Sequence, residues 1–143
     1  MKLLFELSGE HPDLPVAELE CVGTVLDRRT QVAVAECPDP EAVGRLALTH
    51  VVMEYLGECE PSKDALAALL RDLAIRTEKP FAGRVKLIQG AHMDVPRLEV
   101  ERLIGGLVAG PVSLREPVEE YRAVVSDDRC YFGRVIARID RGG

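Results

Sequence analysis

Residues 81–92 read FAGRVKLIQGAH, and the first eight of them decide the fold of their half of the chain. Arg84 and Lys86 fall on one side of an extended segment, with Val85 and Leu87 on the other. That period of two predicts a strand over Phe81–Ile88. A helix is expected next, because Val100, Leu103, Ile104, Leu107 and Val108 follow the i, i+3, i+4, i+7, i+8 pattern of one apolar stripe. Ala109-Gly110-Pro111 ends it. A basic strand feeding a helix whose first amides point outward suits phosphate.

Upstream, Ser62 is a good cap for a helix from Lys63 to about Ile75, with Leu66, Leu69, Leu70 and Leu73 as its stripe. Arg71, Arg76 and Lys79 lie at or beyond its end, where cations suit the helix dipole. Downstream, Val112–Pro117 reads as a short extended piece and Val118–Val125 as a strand with Tyr121, Ala123 and Val125 on one face. Ser126-Asp127-Asp128 reads as a turn before a last strand, Cys130–Ile139. In that strand Phe132, Arg134, Ile136 and Arg138 share a side. The final Arg141-Gly142-Gly143 reads as the start of a linker.

The first half reads differently. Leu3, Phe5 and Leu7 predict a half-buried strand. Asp13 is placed to cap a short helix from Leu14, with Pro15 in its first turn, Val16, Leu19 and Val22 inward, and Gly23 as its stop. Strands are expected at Thr24–Leu26 and Gln31–Glu36 around a polar turn Asp27-Arg28-Arg29. Past Cys37-Pro38-Asp39-Pro40 come a helix over Glu41–Leu48, facing inward through Val43, Leu46 and Ala47, and a strand over His50–Leu56. Strand, helix, strand, strand, helix, strand is the order of a ferredoxin-like sandwich. The polar, turn-rich Gly57–Pro61 marks the boundary. The expectation is an α+β chain with a ferredoxin-like domain over 1–58 and a second α/β domain over 59–143.

Composition narrows the function. At 143 residues, with 47% hydrophobic and 29% charged, the chain is an ordinary folded protein without a run long enough to span a bilayer. MKLLFELSGEH has one lysine, a very short apolar run and no small-residue cleavage site, so a strand is expected there rather than a signal peptide, and the cytoplasm is the expected location. The net charge of −6 is unevenly spread. Residues 1–62 hold four basic against twelve acidic side chains, and residues 63–143 hold fourteen against twelve, so a polyanion partner would meet the second half.

The four cysteines, Cys21, Cys37, Cys59 and Cys130, have no CxxC spacing and read as small, mostly buried thiols rather than a metal site. A Cys37–Cys59 disulfide would suit only a hyperthermophile's protein. His11, His50 and His92 are scattered, and Glu119/Glu120 and Asp127/Asp128 sit where carboxylates are solvated. No GxGxxG, P-loop, GxSxG or HExxH occurs. No catalytic or metal-binding set is therefore assigned. Lys79, Arg84, Lys86, Arg115, Arg134 and Arg138, on or beside strands, fit either a phosphate-binding surface or a solvated one. Phe81 fits either a base-stacking ring or a core residue.

PFAGRVKLIQGAH, then LIGGLV, VSLREPVEEYRAVV and CYFGRVIARIDRG, together resemble a THUMP domain. The matching features are Phe81 with Arg84 and Lys86, then Ile104-Gly105, then Val112, Leu114 and Pro117, then the strands holding Tyr121 and Phe132. LSGEHPDLPVAELE and RLALTHVVMEYLGE resemble the N-terminal ferredoxin-like domain of archaeal tRNA guanine-N2 methyltransferases that modify guanosine-10. The resemblance implies an RNA-binding module that holds the 3′ CCA end of tRNA. It implies a partner methyltransferase domain, in cis or in trans, that carries SAM and an Asp/Asn-Pro-Pro-Tyr motif. This sequence lacks that motif, so no cofactor and no catalysis are expected of it alone. Carried over by position, the implied RNA contacts are Lys79, Phe81, Arg84 and Lys86, followed by Gln89, Gly90 and His92. Arg134 and Arg138 are added on spacing alone. Asp94 places a negative charge before the helix, where it would repel phosphate. The alternative is an interaction or small-molecule-binding module in which the acidic ferredoxin-like half works without RNA.

Overall fold

The structure, a computed structural model, describes residues 1–9, 14–45 and 49–138. They hold seven strands, three α-helices and a short 3-10 helix, in an α/β arrangement. The chain divides into two compact units, Met1–Tyr55 with the chain from Val135 onward, and Leu56–Arg134.

The first unit contains β1 (Lys2–Leu7), α1 (Leu14–Glu20), β2 (Thr24–Arg29), β3 (Val32–Glu36), a 3-10 helix (Pro40–Arg45) and most of β4 (Thr49–Cys59). Its strands follow the order β2-β3-β1-β4, each antiparallel to its neighbour. Leu3, Phe5 and Leu7 pack with Val16, Leu19, Ala33 and Ala35. The opposite face of β1 is buried as well, contrary to the half-buried expectation. Leu4 stands in register with Val34 and Met53, and all three are shielded from water. A strand flanked on both edges and covered on both faces buries alternate residues of either parity, here including Glu6.

In α1, Pro15, Val16 and Leu19 are buried, Val22 packs beside them, and the Gly23 N–H closes the helix on the Leu19 carbonyl at 2.9 Å. The expected cap Asp13 lies outside the described residues. Strand β2 continues through the Asp27-Arg28-Arg29 stretch read as a turn, its register on β3 shifting between Val25 and Asp27. The Asp27 carboxylate accepts from the Arg28 N–H and the Arg29 guanidinium, both at 2.8 Å, so these polar residues are satisfied in place. The reversal comes later, at Gln31, in the left-handed region with φ 57°. The helix expected over Glu41–Leu48 is, in its described part, the 3-10 helix. It begins with the Asp39 carboxylate accepting from the Glu41 N–H at 3.1 Å, and Val43 points inward. Leu46 and Ala47 lie outside the described residues.

Strand β4 does not stop at Leu56 but continues to Cys59. Gly57 is therefore no turn residue. A Cβ there would stand 2.8 Å from Leu69 Cδ1, so glycine lets the next helix lie close on the strand.

The second unit contains the end of β4, α2 (Lys63–Leu73), β5 (Phe81–Leu87), α3 (Arg97–Leu107), β6 (Glu119–Ser126) and the larger part of β7 (Arg129–Arg138). Strand β5 pairs parallel with β6, and β6 antiparallel with β7. Ser62 caps α2 as expected, its Oγ accepting from the Ala65 N–H at 3.2 Å. The helix stops at Leu73, because Ala74 turns left-handed with φ 46° and returns its N–H to the Leu70 carbonyl. Leu66 and Leu70 of α2, and Val100 and Ile104 of α3, meet Phe81, Val85, Tyr121, Ala123, Val125 and Phe132 in one core. Both helices thus cover one face of these strands. Among the described residues, no helix is long and apolar enough to cross a membrane.

Candidate functional site

Strand β5 sorts its side chains into two faces. Phe81 and Val85 are buried against the helices, and Gly83 lies on the same side, where a Cβ would stand 2.8 Å from Ile104 Cβ. Arg84 and Lys86 occupy the other face, Arg84 half-buried and Lys86 exposed. Phe81 accordingly does not join the cations. It is fully buried, meets Tyr121 edge-on at 5.7 Å between ring centres, and Tyr121 in turn stacks on Phe132 at 6.2 Å. Its parity with Val85 fixes this, since residues four apart on a strand share a face.

Neither Arg84 nor Lys86 forms an ion pair with a described residue. Arg84 Nη2 donates to the Leu114 carbonyl at 3.4 Å, a long contact that leaves its positive charge uncancelled. The parallel register sets Arg122 of β6 beside Arg84. This third cation was missed in the sequence, although inward-facing Tyr121, Ala123 and Val125 already turn Arg122 to the other side. Its charge is matched locally: Arg122 Nε donates to Glu120 Oε2 at 2.7 Å, with both side chains mostly buried. Among the described residues of β5 and β6, Arg84 and Lys86 remain the cations on this face outside an ion pair.

The outer edge of β5 is partly covered. The Phe81 N–H donates to the Pro111 carbonyl, the Ser113 N–H to the Phe81 carbonyl, and the Val85 N–H to Glu101 Oε2 at 3.3 Å. Where its amides are satisfied, an edge strand presents side chains rather than backbone to a partner.

The remaining sequence candidates do not form one cluster. Lys79 is exposed just before β5, its N–H donating to Thr77 Oγ1 at 3.1 Å. Gln89, Gly90 and His92 are exposed after its far end, beyond a strand that rises about 20 Å. Gly90 adopts φ 86° there, and the Ala91 N–H closes the turn on the Ile88 carbonyl at 2.8 Å. Arg134 stands opposite Tyr121 in the register, on the helix-bearing face, and its guanidinium donates to Glu119 Oε2 at 3.4 Å. Glu119 also accepts from the Thr77 hydroxyl. Arg134 is therefore separated from Arg84 and Lys86 by the thickness of the strands. Arg138 is exposed near the end of β7 and belongs to the first unit.

The opening of α3 is not the bare anion cradle expected. Pro96 takes the cap position without a side-chain hydrogen bond, and Glu99 sits in the first turn, already meeting the helix dipole. Lys63 Nζ pairs with Glu99 at 2.6 Å, an interaction that raises the Lys63 pKa. Asp94 serves the other helix: its Oδ1 accepts from the Lys63 N–H at 2.9 Å, at the start of α2. Its charge is thus committed to α2.

Arg76, Thr77, Glu78 and Ala109 line an open cavity of about 480 Å³. All four cysteines are free thiols, Cys37 and Cys130 buried, Cys59 partly so, and Cys21 exposed rather than buried as its composition class suggested.

No family model matches the chain. Over 155 residues it is 28% identical to the tRNA (guanine(10)-N2)-dimethyltransferase of Methanothermobacter thermautotrophicus, an alignment covering 99% of this chain and 45% of that protein. Among solved structures, TrmN from Thermus thermophilus matches with a TM-score of 0.67 at 21% identity, covering 97% of this chain and 46% of that one. A 4-thiouridine synthetase, solved with RNA and bound ATP, matches with a TM-score of 0.63 at 10% identity, covering 97% and 41%. At such identities the structural matches establish a common fold. The chain spans less than half the length of each of these proteins. It is, over nearly all its length, similar to one part of a tRNA guanine-N2 dimethyltransferase.

Proposed function

We propose that this chain is the RNA-holding part of a SAM-dependent tRNA guanine-N2 methyltransferase, with a THUMP domain over residues 59–143 that takes the acceptor 3′ end. The observation that carries this reading is the face of β5, where Arg84 and Lys86 stand side by side, neither in an ion pair with a described residue, while Glu120 on the same face is engaged by Arg122. Two such cations bind backbone phosphates and supply affinity that depends on salt. Gln89 and His92, exposed beyond the Lys86 end of the strand, contact the unpaired bases, and Gly90 lets the backbone turn there. Lys79 adds a phosphate contact at the opposite end. Phe81 supports the strand from the core, and Arg134, turned to the helix-bearing face, is left out of the contact set.

Similarity to a tRNA dimethyltransferase supports tRNA as the partner, and a tRNA partner supports a cytoplasmic location. The antiparallel order β2-β3-β1-β4, with α1 after the first strand, supports a ferredoxin-like domain over residues 1–58, the 3-10 helix standing in place of its second helix. Methyl transfer is assigned to an attached domain, in cis or in trans, that holds SAM. The cavity beside Thr77 offers little to that cofactor: among the described residues no aromatic side chain lines it to receive an adenine. Binding by this part alone is weak, and linkage to the catalytic domain raises it through effective concentration.

Fluorescence anisotropy with labelled tRNA, intact or trimmed of its CCA end, tests the proposal. Tighter binding of the intact RNA is expected. Equal binding of the two would overturn the acceptor-end assignment.

A further inference from the structure

Two thiols meet in the second unit, away from the cationic face. Cys59 ends β4 and Cys130 is the second residue of β7, and the two strands are neighbours. One residue earlier on each strand, Glu58 and Arg129 form an ion pair of 2.7 Å that holds these strand ends together. Adjacent strands lie about 4.8 Å apart, inside the range of about 4.4–6.8 Å that a disulfide bridges between Cα atoms. The Cys130 S–H is directed at the Cys59 sulfur as a hydrogen-bond donor, the largest influence on the Cys59 thiol. Cys130 is sealed in the core beside Val125 and Phe132, whereas Cys59 packs on the rim of that core and is partly exposed.

The contact makes the two sulfurs unequal. The hydrogen bond from Cys130, aided by the nearby Arg129 guanidinium, holds the Cys59 thiol below the ordinary cysteine range. The same bond, together with burial, holds Cys130 well above it. A reachable thiol that ionises more readily than usual, beside a buried thiol that holds its proton, is the pairing of an attacking and a resolving cysteine.

We propose that Cys59 and Cys130 are an oxidation site that closes a reversible disulfide on meeting a small-molecule disulfide. The Cys59 thiolate attacks one sulfur of the reagent, breaking its S–S bond, and the released thiolate takes a proton. Cys130 then loses its proton and its sulfur attacks Cys59 Sγ in the mixed disulfide, expelling the second reagent thiolate, which is protonated in turn. The protein gives up two thiol hydrogens and two electrons, and the reagent leaves as two thiols. The bridge ties the end of β4 to the start of β7.

Oxidised glutathione, incubated with the folded full chain and followed by mass spectrometry of non-reduced peptides, provides the test. A Cys59–Cys130 cross-link with no retained glutathione is expected, and dithiothreitol should reverse it. In Cys130→Ala, glutathione should stay on Cys59; in Cys59→Ala, Cys130 should stay unmodified. In the urea-unfolded chain the pairing should scatter among all four cysteines, showing that the fold selects the pair. Glutathione retained on Cys59 in the unaltered chain, or a cross-link through Cys21 or Cys37 in its place, would overturn the assignment.

Discussion

Replacing Phe81 separates a core residue from an RNA contact. Its ring is fully buried, edge-on to Tyr121, and surrounded by residues of both helices. Truncation to alanine removes the transfer energy of the ring and leaves a cavity, about 3–5 kcal/mol for a buried phenylalanine. Total stability is about 5–15 kcal/mol for a domain, so a large fraction is at stake. With a urea m-value of about 1–3 kcal/mol/M, the midpoint followed by circular dichroism should fall by about 2 M. Phe81→Leu keeps most of the apolar volume and loses the edge-to-face pair, about 0.5–1.5 kcal/mol, so that variant stays folded. Its tRNA affinity should equal that of the unaltered chain. A Phe81→Leu protein with an unchanged midpoint but weakened tRNA binding would refute the reasoning, because the ring would then be acting at the surface.

Gly83→Ala forces a methyl to within 2.8 Å of Ile104 and 3.2 Å of the Glu101 carbonyl, both on α3. Overpacking of that kind costs about 1–3 kcal/mol, to be read as a lower urea midpoint. Ser62→Ala removes the hydroxyl that receives the Ala65 N–H and should cost about 1 kcal/mol in the same assay. For Cys59, a lowered pKa means that thiolate forms at lower pH, so its alkylation rate should reach half its plateau below pH 9.0, the ordinary cysteine value. Cys130→Ala takes away the hydrogen bond chiefly responsible and should move that profile upward.

Much of the second unit was legible because its signals are local. Alternation over residues 81–88 identifies β5, the 3.6-residue stripes identify α2 and α3, and Ser62 announces its helix one residue ahead. The same alternation, carried back from Val85, puts Phe81 in the core; Gly83 interrupts the apolar row between them and hides the continuity. Arg134 needed the strand register as well, since only its pairing with Tyr121 sets it on the helix side. Asp94 could not be read from sequence at all. Its neighbours suggest a hostile charge before α3, yet it caps α2, thirty-one residues upstream. In the first unit the errors fell where polar runs look like turns. Asp27-Arg28-Arg29 remained in β2 because side chains satisfy one another there, and the chain reversed at Gln31, whose left-handed backbone has no strong residue signature.

The salt dependence of tRNA binding tests the central claim most directly, measured for the unaltered chain and for the double variant Arg84→Ala with Lys86→Ala. Each phosphate neutralised on a single strand contributes about 0.7 to the slope of log K against log salt. If both side chains grip the acceptor end, the double variant should bind more weakly and its slope should be shallower by about 1.4. Equal slopes and equal affinities in the two proteins would contradict the account.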